Sequence, residues 1–435
     1  MNIYDYQQAF AADDKTSKAM RSAMENWFAA YYASDRETGA DPCQRIAYTV
    51  VNKIMKAVFS EYKSQTEDPA ARALLDRLEE KKKTAMQLAL VGGECFIKPC
   101  PGTDGFRFTM IPRNHVLVFG RNGNGDPADI GTAERITQGN DYFTLLERRS
   151  VDEAGYLTIE NRLYRSRNAQ SLGTQVPLQT VQAYADLADS YCYPQPLNSV
   201  GLVRMKTPIL NCVDGSEDGV AVYAAAMDLI HNIDVNEAQL KEEFSRGESR
   251  IIASADLLSK DGGLQDHLFV GLDEDPEQVG ITVFSPTLRE ASFLARKQEY
   301  LRNVESIIGM RRGMLSDANV EDRTATEITS SAGDFNLTVI EFQAMWEEAL
   351  RKTLKLCREL AKLYRLPAIG STEVCVDWGN STLYDEDKIW QDYKEMVSQG
   401  LVAPEVALGW RFNMPSATEE ERRAIREKYM PTRES

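Results

Sequence analysis

Between Val220 and Leu350 the sequence changes character several times, and that order restricts the fold more than any other feature of the chain. Val220 to about Arg246 reads as one long helix, roughly 40 Å at about 1.5 Å per residue. Its first half is small and apolar (Ala221, Ala224, Ala225, Ala226, Leu229, Ile230), and its second half is polar (Asp234, Asn236, Glu237, Lys241, Glu242, Glu243). A helix divided this way leaves one environment and enters another. Arg250–Pro286 follows as a compact β-rich insert. Ile251-Ile252 and Gly280 to Phe284 read as strands, and Asp261-Gly262-Gly263 and Asp273 to Pro276 as turns. A second helix, about Thr287 to Ile308, then returns. Two helices therefore bracket a small β module, like a stalk with a knob on its end.

Gly309 to Val320 reads as a loop carrying Arg311 and Arg312. Thr324-Ala325-Thr326-Glu327 matches a capping box, with Thr324 at the cap and Glu327 reaching back. The helical stretch that it opens runs to Arg365, is softened at Ser330 to Asn336, and stops before Pro367. Its later part is strongly amphipathic through Val339, Phe342, Trp346, Leu350, Leu354 and Leu360.

The flanking regions are more ordinary. Three helices are expected first: Ser17 to Ser34, Cys43 to Tyr62, and a third from Pro69 to about Val91, ended by Gly92-Gly93. Strands take over from Glu94 to about Gln170. They are Cys95 to Cys100, Phe106 to Ile111, His115 to Phe119, Tyr142 to Val151 and Tyr156 to Ser166, with Asp152 to Gly155 as a hairpin loop. The Asn122-Gly123-Asn124-Gly125 run is a turn and not a nucleotide loop, because nothing after it reads as a phosphate-binding helix. Thr174 to Asn211 is mixed and turn-rich, and Asn211 to Gly219 is a polar linker. Val374 to Trp378 is one more strand. The tail is helical and charged: Asp385 to Gln399, Pro404 to Gly409 and Ala417 to Tyr429.

Composition narrows the function. The chain has 435 residues, of which 50 are Lys or Arg and 66 Asp or Glu, a net charge of −16. Proteins that grip nucleic acid over their whole surface are basic. An acidic chain that meets DNA must do so locally, and acidic walls suit something that DNA slides past. Seven cysteines without a CxxC pair give neither a disulfide framework nor a zinc ribbon, and Cys95 and Cys100 read as buried or indifferent thiols. The three histidines, His115, His231 and His267, form no metal or catalytic spacing. P-loop and nucleophile-elbow motifs are absent. No catalytic residue, cofactor or metal site is expected, and the chain reads as non-enzymatic. No apolar run reaches the length of a membrane span, and Met1 to Lys15 lacks the pattern of a secretory signal.

The order of elements resembles the portal proteins of tailed bacteriophages, of the kind related to phage SPP1. Three places carry the resemblance. Ser285-Pro286-Thr287-Leu288-Arg289 leads into a helix ending Ile307-Ile308-Gly309. Arg323-Thr324-Ala325-Thr326-Glu327-Ile328 is similar to that family's TATE signature, and Phe335 to Leu350, with Gln343 and Trp346, continues it. Asp377-Trp378-Gly379-Asn380-Ser381 precedes an acid-led helix, Gln399-Gly400-Leu401-Val402 and the charged Glu419 to Glu427 run. Gly92 to Lys98 and Ile111-Pro112 look similar to the family's strand region.

The resemblance implies an α+β, elongated subunit with long stem helices, a small β-rich clip, an α/β wing and a helical C-terminal crown. Residues 1–219 would be wing, 220–249 the first stem helix, 250–286 clip and 287–309 the second stem helix. Residues 310–337 would hold the channel loop, 338–384 the long helix and wing return, and 385–435 the crown. Arg311, Arg312, Ser331, Asp334 and Asn336 are the expected DNA-facing residues. The implied assembly is a ring, usually of twelve copies, at one capsid vertex of a virion, assembled in the host cytoplasm. Its partners would be the terminase large subunit, a head–tail adaptor, capsid and scaffolding proteins, and double-stranded DNA, with no membrane. The rival readings are a metal-dependent phosphoesterase or nuclease built on clustered carboxylates, and a ring scaffold unrelated to phage.

Overall fold

The computed structural model describes residues 3–32, 42–102, 105–246, 250–253, 281–284, 287–317, 325–379, 386–412 and 414–430. In chain order the elements begin with α1 (Ile3–Phe10), α2 (Lys18–Tyr32), α3 (Ile46–Val58), β1 (Lys63–Gln65), α4 (Pro69–Glu79) and α5 (Lys82–Gly92). The strands β2 (Glu94–Gly102), β3 (Gly105–Pro112), β4 (Val116–Arg121), β5 (Pro127–Gln138), β6 (Asp141–Val151) and β7 (Leu157–Ser166) follow. Then come β8 (Thr174–Val176), β9 (Ser190–Cys192), β10 (Val203–Lys206), α6 (Met227–Arg246), β11 (Arg250–Ala253) and β12 (Ile281–Phe284). The chain continues through α7 (Glu290–Ile308), α8 (Ala325–Leu363), β13 (Cys375–Asp377), α9 (Glu386–Ser398), α10 (Pro404–Arg411) and α11 (Glu419–Tyr429). Helices and antiparallel sheets make this an α+β chain. It divides into two compact units, Met1–Met55 with Asp68–Thr372, and Lys56–Glu67 with Glu373–Ser435.

In the larger unit α2 buries Met20, Met24, Trp27 and Tyr31, one stripe of its surface. The expected third helix is two helices. The charged run Glu79 to Lys83 interrupts the apolar stripe, and the chain turns there. α4 is amphipathic, whereas α5 buries nearly every residue from Ala85 to Gly92. Asp68 caps α4, its carboxylate accepting from Ala71 N at 2.9 Å, and Pro69 occupies the first turn, where a missing N–H costs nothing.

Two antiparallel sheets follow. The smaller has the order β10-β2-β3, and the larger runs β4-β5-β6-β7-β8 with β9 also paired to β7. Alternation along β6 sends Phe143 and Leu145 to a core with Leu163, Leu178, Val181 and Tyr184. Leu146 packs into a second core with Phe10, Leu117, Phe119 and Leu172. The longest strand, β5, carries no alternating apolar pattern, and the sequence reading passes over it. Pairing with β6, from Asp129↔Ser150 to Gln138↔Asp141, sets its conformation.

The long helices differ from expectation in two ways. α6 starts at Met227, not Val220. Residues 220–223 are buried without joining the helix, and Val222 N donates to Leu90 O at 2.9 Å. This segment sits against the end of α5, where Gly93 (φ 80°) meets Gly219. A Cβ on Gly93 would lie 2.2 Å from the Gly219 carbonyl. α8 is continuous over 39 residues, without the softening expected at Ser330 to Asn336. A single glycine costs only about 1 kcal/mol inside a helix. The apolar stripe that follows, with Val339, Phe342, Trp346, Leu350 and Leu354 all buried, carries the helix.

In the smaller unit β1 and β13 pair antiparallel, with Lys63 opposite Asp377. Tyr62 packs on Trp378 with ring centroids 4.7 Å apart. α10 and α11 contact each other, and Ile425 is fully buried. Thr418 and Glu421 form a capping box that opens α11.

Candidate functional site

α6 and α7 lie antiparallel in the larger unit. Asn236 Nδ2 donates to Phe293 O at 3.1 Å, Lys297 pairs with Glu237 at 2.8 Å, and Arg289 pairs with Glu243 at 2.7 Å. Higher numbers on one helix meet lower numbers on the other, as in a hairpin. Ile230, Ile233, Asn236 and Leu240 are buried along α6, and Leu301, Val304 and Ile308 along α7. β11 follows α6 and β12 precedes α7, and the two strands pair antiparallel from Arg250↔Phe284 to Ala253↔Ile281. These are the two strands expected in the insert. The turns expected at 261–263 and 273–276 lie outside the described residues.

The chain entering α6 is held by buried charge. Arg113 is wholly buried. It donates to Asp218 Oδ1 at 2.9 Å, Thr16 Oγ1 at 2.8 Å and Val116 O at 2.8 Å, and its Nε lies 3.3 Å from Glu94 Oε2. Arg121 reaches the same Asp218 oxygen at 2.7 Å, and Glu94 Oε1 accepts from Arg204 at 2.5 Å and Gly219 N at 2.7 Å. Burial alone would raise the Asp218 carboxyl, but Arg113 and Arg121 outweigh it and hold the group below its ordinary value. Every carboxylate in this network meets a guanidinium or a backbone N–H, the condition under which buried charge is tolerated. A second buried group joins Lys98, Glu147 and Arg149. Glu147 lies 2.7 Å from each cation, and against the opposing effect of burial they bring its carboxyl down to about 2.

At the other end of α7 the arginine loop begins. Gly309, in the left-handed region at φ 72°, closes the helix, and Met310 N donates to Glu305 O at 2.8 Å. Arg311 and Arg312 are exposed, whereas Met310 and Ser316 on either side of them are buried. The Glu305 carboxylate, itself fully buried, accepts from Leu315 N (2.5 Å), Ser316 N (2.9 Å), Ser316 Oγ (2.8 Å) and Gly313 N (3.3 Å). Asp317 N donates to Gln298 Oε1 at 2.8 Å.

The expected DNA-facing residues therefore fall on two elements. Arg311 and Arg312 sit on the loop, while Ser331, Asp334 and Asn336 belong to α8. Asn336 is half-buried, and α8 touches the loop where Thr338 Oγ1 donates to Gly309 O at 3.4 Å. Thr324 lies outside the described residues. Glu327 is in the first turn of α8, which begins at Ala325, the residue after the expected cap. His231 is exposed on α6, and Cys95 is buried with its thiol pushed up by desolvation. Among the described residues no three His, Cys, Asp or Glu side chains come together as a metal site.

Sequence reasoning misses Glu305 and the Arg113 network. Glu305 has a signal: it is an acid beside the buried stripe of Leu301, Val304 and Ile308, a position where a charge needs partners. The network has only a faint one, in Glu94 and Arg113 flanking apolar strands.

Comparison with solved structures finds the same fold at low identity. The neck of an empty GTA particle, computed with C6 symmetry, aligns with a TM-score of 0.50 and 13% identity, covering 95% of this chain and 100% of that one. The neck of a native GTA particle, computed with C12 symmetry, gives a TM-score of 0.49 and 13% identity, covering 95% and 99%. Comparison with curated protein sequences gives no match. Among protein families, residues 116–430 match the one described as phage portal protein, SPP1 Gp6-like. That match takes in the antiparallel helix pair, its strand pair, the arginine loop and the long helix α8, and the chain belongs to the SPP1-type phage portal family.

Proposed function

We propose that this chain is the portal subunit of a tailed-phage or phage-like particle. Copies form a ring of twelve at one vertex, and the ring conducts duplex DNA during packaging and ejection and docks the terminase and the head–tail adaptor. The observation that carries this reading is the antiparallel α6–α7 pair joined to a strand pair, in a chain of the portal family. In this reading α6 and α7 are the stem and residues 250–286 the clip. Residues 1–219 and 338–384 form the wing, 310–337 the channel region and 385–435 the crown.

The chemistry asked of the protein is physical. A net charge of −16 keeps phosphate from adhering to the channel at large. The exposed Arg311 and Arg312 supply local contacts, each weak and each repeated around the ring. A ring of this kind has heterologous contacts, with each subunit offering one face to a different face of its neighbour. Particle imaging and mass measurement of the full chain over a range of salt and concentration test the reading. Closed rings with a central opening wide enough for duplex DNA are expected. A chain that stays monomeric at high concentration in every salt condition refutes it.

A further inference from the structure

Glu305 does more than fill a place in the α7 face. Its two functional ends hold the two feet of the arginine loop. The backbone carbonyl takes Met310 N, the foot just before Arg311. The carboxylate takes the amides of Gly313, Leu315 and Ser316 and the Ser316 hydroxyl, the foot after Arg312. Gln298, two helical turns earlier on the same face of α7, takes Asp317 N. The returning chain is thus laid back along α7, over a distance of roughly 10 Å at about 1.5 Å per residue. Inside the arch, Met314 N donates to Arg311 O at 3.2 Å and closes a turn.

The carboxylate is fully buried, and among the described residues its partners are three amides and one hydroxyl, all from the loop. A buried anion held this way depends on those donors, so releasing the loop would strand it. The loop and the carboxylate each require the other.

We infer that Glu305 is the positioning residue of the arginine loop, clasping both feet so that Arg311 and Arg312 move with α7 as one body. This rests on the reading of those arginines as duplex contacts only for its consequence. A tilt of α7 would carry the arginines toward or away from DNA without any local rearrangement.

Hydrogen exchange on the full chain, in the oligomer that it forms, tests the clasp directly. Glu305→Gln leaves one neutral acceptor oxygen where the carboxylate offers two charged ones, so that its NH2 can meet the Ser316 hydroxyl but the Gly313, Leu315 and Ser316 amides lose the anion that holds them. The Leu315 and Ser316 amides should then exchange at least about tenfold faster, with α8 around Trp346 unchanged. Gln298→Ala, a milder change at the second anchor, should speed Asp317 alone. Unchanged exchange at 313–317 in Glu305→Gln overturns the inference. If Glu305→Gln does not fold, Ser316→Ala removes the hydroxyl donor to the same carboxylate, and unchanged exchange at Gly313 and Leu315 in that variant overturns the inference instead.

Duplex binding separates this from the functional reading. The double variant Arg311→Ala/Arg312→Ala should weaken binding and flatten its salt dependence. Glu305→Gln keeps both charges, and should weaken binding several-fold with the slope retained. Fast exchange in Glu305→Gln with duplex binding unmoved by the double arginine variant upholds the clasp and refutes the DNA contact.

Discussion

Glu147→Gln isolates the energetics of the Lys98–Glu147–Arg149 group. The carboxylate sits 2.7 Å from each cation with 8% of its side chain exposed, so solvent screens it little. Its ordinary value of 4.5 falls to about 2 in the folded chain. A drop of about 2.5 units at 1.36 kcal/mol per unit is roughly 3 kcal/mol of stability supplied by the ionised form. The sign follows from proton binding. The unfolded chain takes up this proton near pH 4.5 and the folded chain only near pH 2. The contribution is therefore complete above about pH 5, and is lost as pH falls through that interval. The glutamine variant has no proton to take up, and it leaves Arg149, buried against Val200 O, without this anion. Breaking a buried pair from one side costs about 3–5 kcal/mol. Urea denaturation of the full chain at pH 7 should show the variant less stable by roughly 3 kcal/mol. Between about pH 5 and 3 the gap should narrow, because the native chain loses its advantage there and the variant has none to lose. A difference under about 0.5 kcal/mol at pH 7, or a gap that does not change between about pH 5 and 3, would show that the ionised Glu147 does not supply this stability.

Two further outcomes are expected. Gly93→Ala forces a Cβ to within 2.2 Å of the Gly219 backbone at a φ of 80°, and two chain segments meeting backbone to backbone have no side chain to move aside. It should destabilise the larger unit by about 3 kcal/mol or more, read as a fall in its thermal midpoint. Thr418→Ala removes the acceptor for Glu421 N and should cost about 1 kcal/mol. Faster amide exchange confined to the first turn of α11 should report it.

What is readable in the sequence is what short-range physics decides. Stripes such as Met20, Met24, Trp27 and Tyr31 mark a helix because burial on one face needs that spacing. The order of helix, strand, strand, helix from 227 to 308 is visible because periodicity changes at each boundary. The break between α4 and α5 has a sequence signal in the charged run Glu79 to Lys83, but both halves have good helix formers, and the tertiary burial of α5 turns that signal into a change of direction. The start of α6 is placed too early for a similar reason. Val220 to Tyr223 suits a helix by composition, but it docks instead on Leu90 and Trp27, segments far away in the chain. Of the site, the exposed arginines are legible and their support is not. Arg311 and Arg312 announce themselves in a turn-rich stretch, whereas the clasp on Glu305 depends on a chain reversal that no local pattern records.

The network around Arg113 has a consequence for the order in which the chain is built. Its side chains, Thr16, Glu94, Arg113, Arg121, Arg204 and Asp218, all precede the first residue of α6. They are drawn from segments far apart in the chain, and contacts of that span are slow to form. During synthesis, at about 5–20 residues per second, the whole set is available before α6 and α7 leave the ribosome. The foundation of the helix pair can therefore close while the pair itself is still being translated, and the helices emerge onto a base that already fixes where α6 begins.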